Sequence, residues 1–234
     1  MAISPESEPS MMRTLLSLPL FQGLARQEFI ELIEKTRLEF LHVADASILR
    51  QGDHHTQVVY VLSGQLVRTV QHGVLTFSET LSVPALLEPY SLFGRDDTLH
   101  ASYSVNGPAD LLVIDKCYLY TVFNRYAVVQ INILNLLSAS AQHLSRKLLP
   151  AAGTRIEDRL LHLVDDLSEQ EGSERRLAVN RVQLAALLGV SRRAMSEVIA
   201  DMQRRGLLRI EYGALVFLPA DGAESVINQI PDNQ

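Results

Sequence analysis

The first apolar pattern along the chain has helical spacing. Between Met12 and Glu39, and best in Gln27–Leu38, Phe29, Ile30, Leu32 and Ile33 fall on one side of a helix. From about Phe40 to Ile114 the texture changes to short β-rich runs cut by turn residues. These are His42–Leu49, Gln51-Gly52-Asp53, Val58–Leu62, Ser63-Gly64, Gln65–Val70, His72-Gly73 and Val74–Thr80. Two later runs, Ala101–Val105 and Leu111–Ile114, flank a turn expected at Asn106-Gly107-Pro108. Such spacing predicts an antiparallel barrel or sandwich. Glycine and proline are then absent from Asp115 to Leu149, which predicts a short helix over Lys116–Phe123 and a long one over Tyr126–Leu149. On the long helix Leu134, Leu137, Ala141, Leu144 and Leu148 alternate spacings of three and four. That is a short coiled-coil seam, or else the face an ordinary helix turns toward its own domain.

Pro150-Ala151-Ala152-Gly153 breaks the pattern. A capping box at Thr154-x-x-Glu157 opens the next helix, whose stripe is Ile156, Leu160, Leu163, Val164 and Leu167. A strand over Arg176–Val179 follows. Asn180 with Gln183 opens a helix of about two turns through Leu184, Leu187 and Leu188. Gly189 permits a tight turn, Val190 plugs the angle, and Ser191 is the N-cap of a further helix. On that helix Met195, Val198, Ile199 and Met202 form the buried stripe, while Arg192, Arg193, Ser196, Glu197 and Arg204 lie off it. Leu208–Tyr212, Gly213 and Ala214–Leu218 read as a β-hairpin. Helix, Gly turn, basic second helix and hairpin are the layout of a winged helix-turn-helix, whose second helix enters the major groove.

Charge sharpens this picture. The chain of 234 residues carries a net charge of −6, yet Gly172–Phe217 holds eight Arg against four acids, leaving the rest at −10. A basic module on an acidic body suits DNA binding by one part of the chain. The single cysteine, Cys117, excludes an intrachain disulfide and argues against a thiolate-held iron–sulfur cluster or zinc finger. The polar start of the chain lacks the features of a signal peptide, and no apolar run approaches a membrane span, so a cytoplasmic location is expected.

Three ordered anchors resemble the cyclic AMP receptor protein/fumarate-nitrate reduction regulator (CRP/FNR) superfamily. They are Pro19-Leu20-Phe21-x-Gly23-Leu24; Gly52-Asp53 with Val59-Tyr60-Val61-Leu62-Ser63-Gly64; and Asn180-Arg181 through Leu187-Leu188-Gly189-Val190-Ser191-Arg192. The resemblance implies an α+β chain. It comprises an N-terminal tail (1–17), a double-stranded β-helix (jelly-roll, cyclic-nucleotide-binding-like) sensor (18–123), a dimerisation helix (124–149), a hinge (150–153), a winged helix-turn-helix (154–219) and a C-terminal tail (220–234). It implies a homodimeric, sequence-specific transcription regulator that binds a palindromic DNA operator under effector or redox control, and RNA polymerase as a partner if the protein activates. The dimer interface would be Leu134, Leu137, Ala141, Leu144 and Leu148.

By the same resemblance Asn180 and Arg181 hold DNA phosphates and Arg192 reads a base, with Ser191 and Ser196 beside them. Where the family commonly has Glu and then Arg four residues on, this chain has Arg193 and Glu197. The exchanged charges imply a different half-site, or an i, i+4 ion pair. The family's cyclic-nucleotide cassette has Phe-Gly-Glu followed by a phosphate-binding Arg. Here Phe93-Gly94 is followed by Arg95, and the later Arg falls near Leu99, with His100 in place of a small polar residue. Cyclic AMP is therefore not the expected effector. The expected effector pocket is Tyr90, Phe93, Gly94, Arg95 and His100. No cofactor is selected. Haem is open to His42, His54, His55, His72, His100 or His143, as some relatives hold it through His or Met-type ligands.

Two alternatives remain at this point. Gly52-Asp53-His54-His55 echoes a cupin metal motif, although adjacent residues on a strand face opposite ways. A regulatory partner protein that has lost DNA binding is the other. No nucleophile–base triad or phosphate-binding loop is visible, so no enzyme is expected.

Overall fold

The computed structural model describes residues 9–36, 38–147, 155–169 and 173–219. Leu148, the hinge 150–153, Thr154 and the tail 220–234 lie outside the described residues, as do the first eight residues of the N-terminal tail. The chain divides into two compact units: residues 1–66 with 82–146, and residues 67–81 with 147–234.

The first unit begins with α1 (Pro9–Ser17) and α2 (Arg26–Thr36), not one helix from 12 to 39. Leu18–Gly23 forms turns between them, and Glu39 already belongs to a strand. Strands β1 (Glu39–Ala44), β2 (Ser47–Leu49), β3 (Gln57–His72), β5 (Ala85–Leu86) and β6 (Ser102–Asp115) build an antiparallel array; β4 (Leu75–Leu81) lies between β3 and β5 in the chain. β1 and β2 both pair with β6, and β5 pairs with β3. Helices α3 (Leu119–Arg125) and α4 (Ala127–Lys147) close the unit.

Two expected breaks are absent. β3 runs straight through Ser63-Gly64, because Gly64 adopts φ +106° where β3 passes β6. A Cβ there would stand 2.6 Å from the Ala109 Cβ, so the glycine permits close approach rather than a turn. β6 likewise continues through Asn106-Gly107-Pro108, with Pro108 opposite Ala44. The true corner lies at Asp45, at φ +47°, whose carboxylate accepts from the Gly107 N–H at 2.6 Å.

The first two sequence anchors meet in this unit's core. Leu20 and Phe21 are buried, the Phe21 and Tyr60 rings are 6.3 Å apart, and the Tyr60 hydroxyl accepts from the Leu20 N–H. Burial pushes that hydroxyl up to about 12. From α4, the Asn132 amide donates to the carbonyls of Leu20 and Gln22, fixing the same turn.

In the second unit α5 (Ile156–Leu167), α6 (Arg181–Leu187) and α7 (Arg192–Arg204) pack on a sheet of β4, β7 (Arg175–Ala178), β9 (Ala214–Phe217) and β8 (Leu208–Glu211). α5 starts one residue later than the capping box required. Arg155 stands at its N-cap with no side-chain bond, so Glu157 serves another purpose described below. The core of this unit takes Leu160, Val164, Leu177, Leu184, Met195, Ile199, Met202, Leu215 and Phe217, together with Leu75 and Phe77 of β4. Among the described residues, no helix is long and apolar enough to cross a membrane.

Candidate nucleic-acid interface

The turn between α6 and α7 is built by two helix ends. Asn180 caps α6, its side chain accepting from the Val182 N–H at 2.8 Å. The partner is Val182, so the reciprocal role expected of Gln183 is not what forms the cap. At the other end Gly189, at φ +62°, donates to Ala186 O, and Val190 N–H donates to Ala185 O. This paired pattern ends a helix sharply and needs the left-handed residue that glycine supplies. Ser191 then caps α7, accepting from the Ala194 N–H at 3.1 Å. Leu187 is exposed; Leu184, Ala185 and Leu188 do the packing.

α5 holds the pair from behind. Arg159 donates to the carbonyl of Leu188 at the turn itself. Glu157 receives both Nη atoms of Arg205, at 2.9 and 2.8 Å, and Asp201 adds a third contact. The turn and the far end of α7 are thereby tied to one helix, which fixes the direction in which α7 presents its first turn.

That first turn is basic where helix electrostatics disfavour it. Arg192 and Arg193 stand at the positive end of α7, an arrangement that costs a few tenths of a kcal/mol or more in an isolated helix. Asn180, Arg181, Ser191, Arg192, Arg193, Ser196 and Glu197 are all exposed and lie on the two helix starts. Most of the basic segment is neutralised internally. Arg175 pairs with Asp165, Arg176 with Glu211, Arg204 with Asp201, Arg205 with Glu157, and Arg209 with Glu174 and Glu211. Arg193 Nε meets Glu197 at 2.9 Å, with Arg193 90% exposed. Among the described residues, Arg181 and Arg192 enter no ion pair.

The hairpin β8–β9 turns through Tyr212-Gly213, both at positive φ (+43° and +80°), as a two-residue hairpin requires. Tyr212 is fully exposed. An aromatic residue in the left-handed region carries strain that Asn or Asp would avoid. No periodicity marked it; the signal available was a Tyr-Gly pair at a hairpin tip.

A Crp-like helix-turn-helix domain profile matches residues 154–220. Residues 154–220 thus carry a Crp-like helix-turn-helix domain. The winged helix-turn-helix read from the sequence is borne out over those residues. None of the curated proteins matches the chain. Among solved structures, the catabolite activator protein of Thermus thermophilus is 21% identical, with 91% of this chain and 100% of that one covered at a TM-score of 0.46. DNR from Pseudomonas aeruginosa is 16% identical, with 94% and 99% covered at 0.45. The c-di-GMP responsive regulator CLP of Xanthomonas campestris is 20% identical, with 82% and 98% covered at 0.42. The functional reading rests on the helix-turn-helix itself.

In the first unit the expected effector residues divide. Tyr90 and His100 come together, ring centroids 5.9 Å apart. Phe93 packs instead on Phe123, with the Lys116 ammonium 6.0 Å from its ring, and Arg95 is exposed. Beside His100 sits a residue that sequence reasoning missed. Glu88 is buried at φ +38°, and its carboxylate accepts from the N–H groups of His100 (3.0 Å) and Ala101 (2.8 Å). His100 Nδ1 lies 3.4 Å from it.

His54 and His55 diverge, although they precede β3 and His54 forms only an isolated bridge with Thr98. His54 is exposed on Asp97, while His55 is buried with Nδ1 2.7 Å from the Ser91 hydroxyl. Burial lowers the His55 pKa from 6.5. Below that value the unfolded chain takes up a proton that the folded chain keeps off. The stability due to neutral His55 is therefore complete above the ordinary imidazole pKa and is lost as the pH falls through it. His54 holds the Asp97 pKa low, so that carboxylate contributes across the same window and is lost only in stronger acid. The first unit is expected to melt at a lower temperature at about pH 5.5 than at about pH 7.5, and His55→Gln should flatten this dependence. An unchanged melting temperature in the unsubstituted chain would contradict it.

Proposed function

We propose that the chain is a homodimeric, sequence-specific DNA-binding transcription regulator whose DNA affinity is controlled from its N-terminal unit. The observation that carries this reading is the pair Arg181 and Arg192. They are exposed at two helix starts either side of a fixed turn, and are left out of the ion pairs that consume the surrounding arginines. Arg181 and Asn180 suit phosphate oxygens, and Arg192 suits a guanine edge. Tyr212 at the wing tip suits the flanking backbone. The Arg193–Glu197 pair forms in the free protein and opens on DNA if both residues read bases.

Dimerisation fits α4, where Ile131, Leu134 and Leu144 are 57%, 59% and 54% exposed. Ala141 lies on the same open side, while Leu137 packs partly on the unit's own core. Two heads would read half-sites about one helical turn apart. For the effector, Glu88 already fills the N–H groups of His100 and Ala101, so a phosphate placed there would meet a buried carboxylate. A cyclic nucleotide is therefore disfavoured; an uncharged or cationic effector suits this end of the unit better. A cytoplasmic regulator that contacts RNA polymerase when activating is consistent with this role.

Selection of binding sites from a random duplex pool with the purified chain tests the proposal. Enrichment of one palindrome is expected, with a half-site differing from the family's common one at the bases facing Arg193 and Glu197. Enrichment of the common half-site would remove those two residues from base reading. Retention of all sequences alike, with steep salt dependence, would leave only nonspecific binding.

A further inference from the structure

The helix-turn-helix match begins at residue 154, yet the compact unit containing it also takes in residues 67–81. These are the end of β3, the turn at Gly73 and β4. β4 lies antiparallel on β7, with Thr76 opposite Ala178, Phe77 opposite Leu177, Ser78 opposite Arg176 and Glu79 opposite Arg175. The three-stranded wing sheet thereby gains a fourth strand, and the edge of β7 is paired rather than open. Leu75 and Phe77 are buried in the core that holds α5 and α7 in place.

Charged groups finish the joint. The buried Glu79 carboxylate accepts from Arg68 Nη1 (3.0 Å), the Ser168 hydroxyl (2.5 Å) and the Glu169 N–H (2.9 Å). Arg68 Nη1 also donates to Leu167 O at 2.8 Å, and its Nε lies 3.2 Å from a Glu169 oxygen. The hairpin thus satisfies the carboxyl end of α5, where a helix leaves carbonyls without partners.

We propose that the DNA-binding head of this chain is a composite of residues 67–81 and 155–219, and that the hairpin stays docked on β7 while the head holds DNA. The inference rests on the DNA-binding reading given above. The groups that the hairpin engages are Leu167, Ser168, Glu169 and residues 175–178, none of them in the DNA-reading set. Asn180, Arg181, Ser191, Arg192, Arg193, Ser196 and Glu197 are exposed with the hairpin in place. Undocking would strip a buried ion pair of its partners, which makes the separated state costly. Because residues 67–81 join the other unit at both of their ends, within β3 and after β4, the head has two covalent connections besides the one that follows α4.

The test locks the joint in the full chain. Thr76→Cys with Ala178→Cys places two thiols on directly opposed residues, within the range a disulfide spans, and Cys117→Ser removes the native thiol. Affinity for the selected duplex is measured by fluorescence anisotropy in oxidised and reduced forms. Amide hydrogen exchange of 75–81 and 175–178 is followed with and without DNA. The locked protein should bind within about twofold of its reduced form, and the two segments should exchange together in both states. A loss of tenfold or more on oxidation, or faster exchange in 75–81 on DNA, would show that the docked hairpin opposes binding. Failure of the disulfide to form, or exchange of 75–81 apart from 175–178 in the free protein, would remove the composite itself. A reduced protein that binds no duplex would sink the DNA-binding reading instead, and exchange in the free protein would still decide the composite.

Discussion

Arg192→Ala is expected to weaken binding to the chain's selected duplex by about 1–3 kcal/mol, with most of the loss at a single base position of each half-site. Arg192 is the first residue of α7, directly after the Ser191 cap, and is exposed with no carboxylate among the described residues holding it. A bidentate guanidinium contact to a guanine edge discriminates by about this amount. Arg181→Ala, at the start of α6, should instead weaken all duplexes alike and shallow the salt dependence by about one unit of slope, as removal of a phosphate contact does. Arg193→Ala gives a smaller net effect, because its ion pair with Glu197 must open before either side chain meets a base. Titrations against the selected duplex and single-base variants of it separate these outcomes. A loss for Arg192→Ala that is equal on every sequence would reassign it to the backbone. Folding should be untouched in each case, since none of these side chains is buried.

Glu79→Ala is expected to destabilise the C-terminal unit by about 3–5 kcal/mol, the range found when one partner of a buried pair is removed. The glutamate is wholly enclosed, and its removal leaves the Arg68 guanidinium, the Ser168 hydroxyl and the Glu169 N–H short of an acceptor. The residual contacts of Arg68 with Leu167 O and Glu169 place the expected cost toward the lower end. Replacing both charges, Arg68→Met with Glu79→Leu, should recover much of the loss, because two apolar groups leave no buried charge behind. Denaturant unfolding followed by hydrogen exchange in 175–178 and 214–217 reads the effect locally. A change below about 1 kcal/mol would mean that water reaches the pair and that it behaves as a surface bridge.

The helix-turn-helix was the most legible part of the chain because its determinants are local. Asn180, Gly189 and Ser191 are cap and turn residues whose roles follow from neighbours within five positions. The stripe Met195, Ile199, Met202 fixes which face of α7 is buried, and so which face carries Arg192 and Arg193. Elsewhere the same punctuation misled. Ser63-Gly64 and Asn106-Gly107-Pro108 carry turn chemistry but lie inside long strands, because Gly64 answers a close approach from Ala109 and Gly107 sits at a corner shared with Asp45. Glu88 gave no signal at all, since what makes it distinctive is a carboxylate seated on peptide N–H groups 12 and 13 residues away.

The sequence alone determined the order of elements, the helix–turn–helix–hairpin layout, the buried stripes and the basic character of one segment. Each depends on short-range periodicity, caps and turns. Tertiary structure decided the rest. It decided which of the eight arginines in that segment pair with acids from other elements, and that Glu157 anchors Arg205 rather than capping its own helix. It also decided that a hairpin about a hundred residues earlier completes the head's sheet and the end of α5. Pairing across such separations depends on which strand edge and which helix end remain unsatisfied once the chain has packed, and no local pattern encodes that.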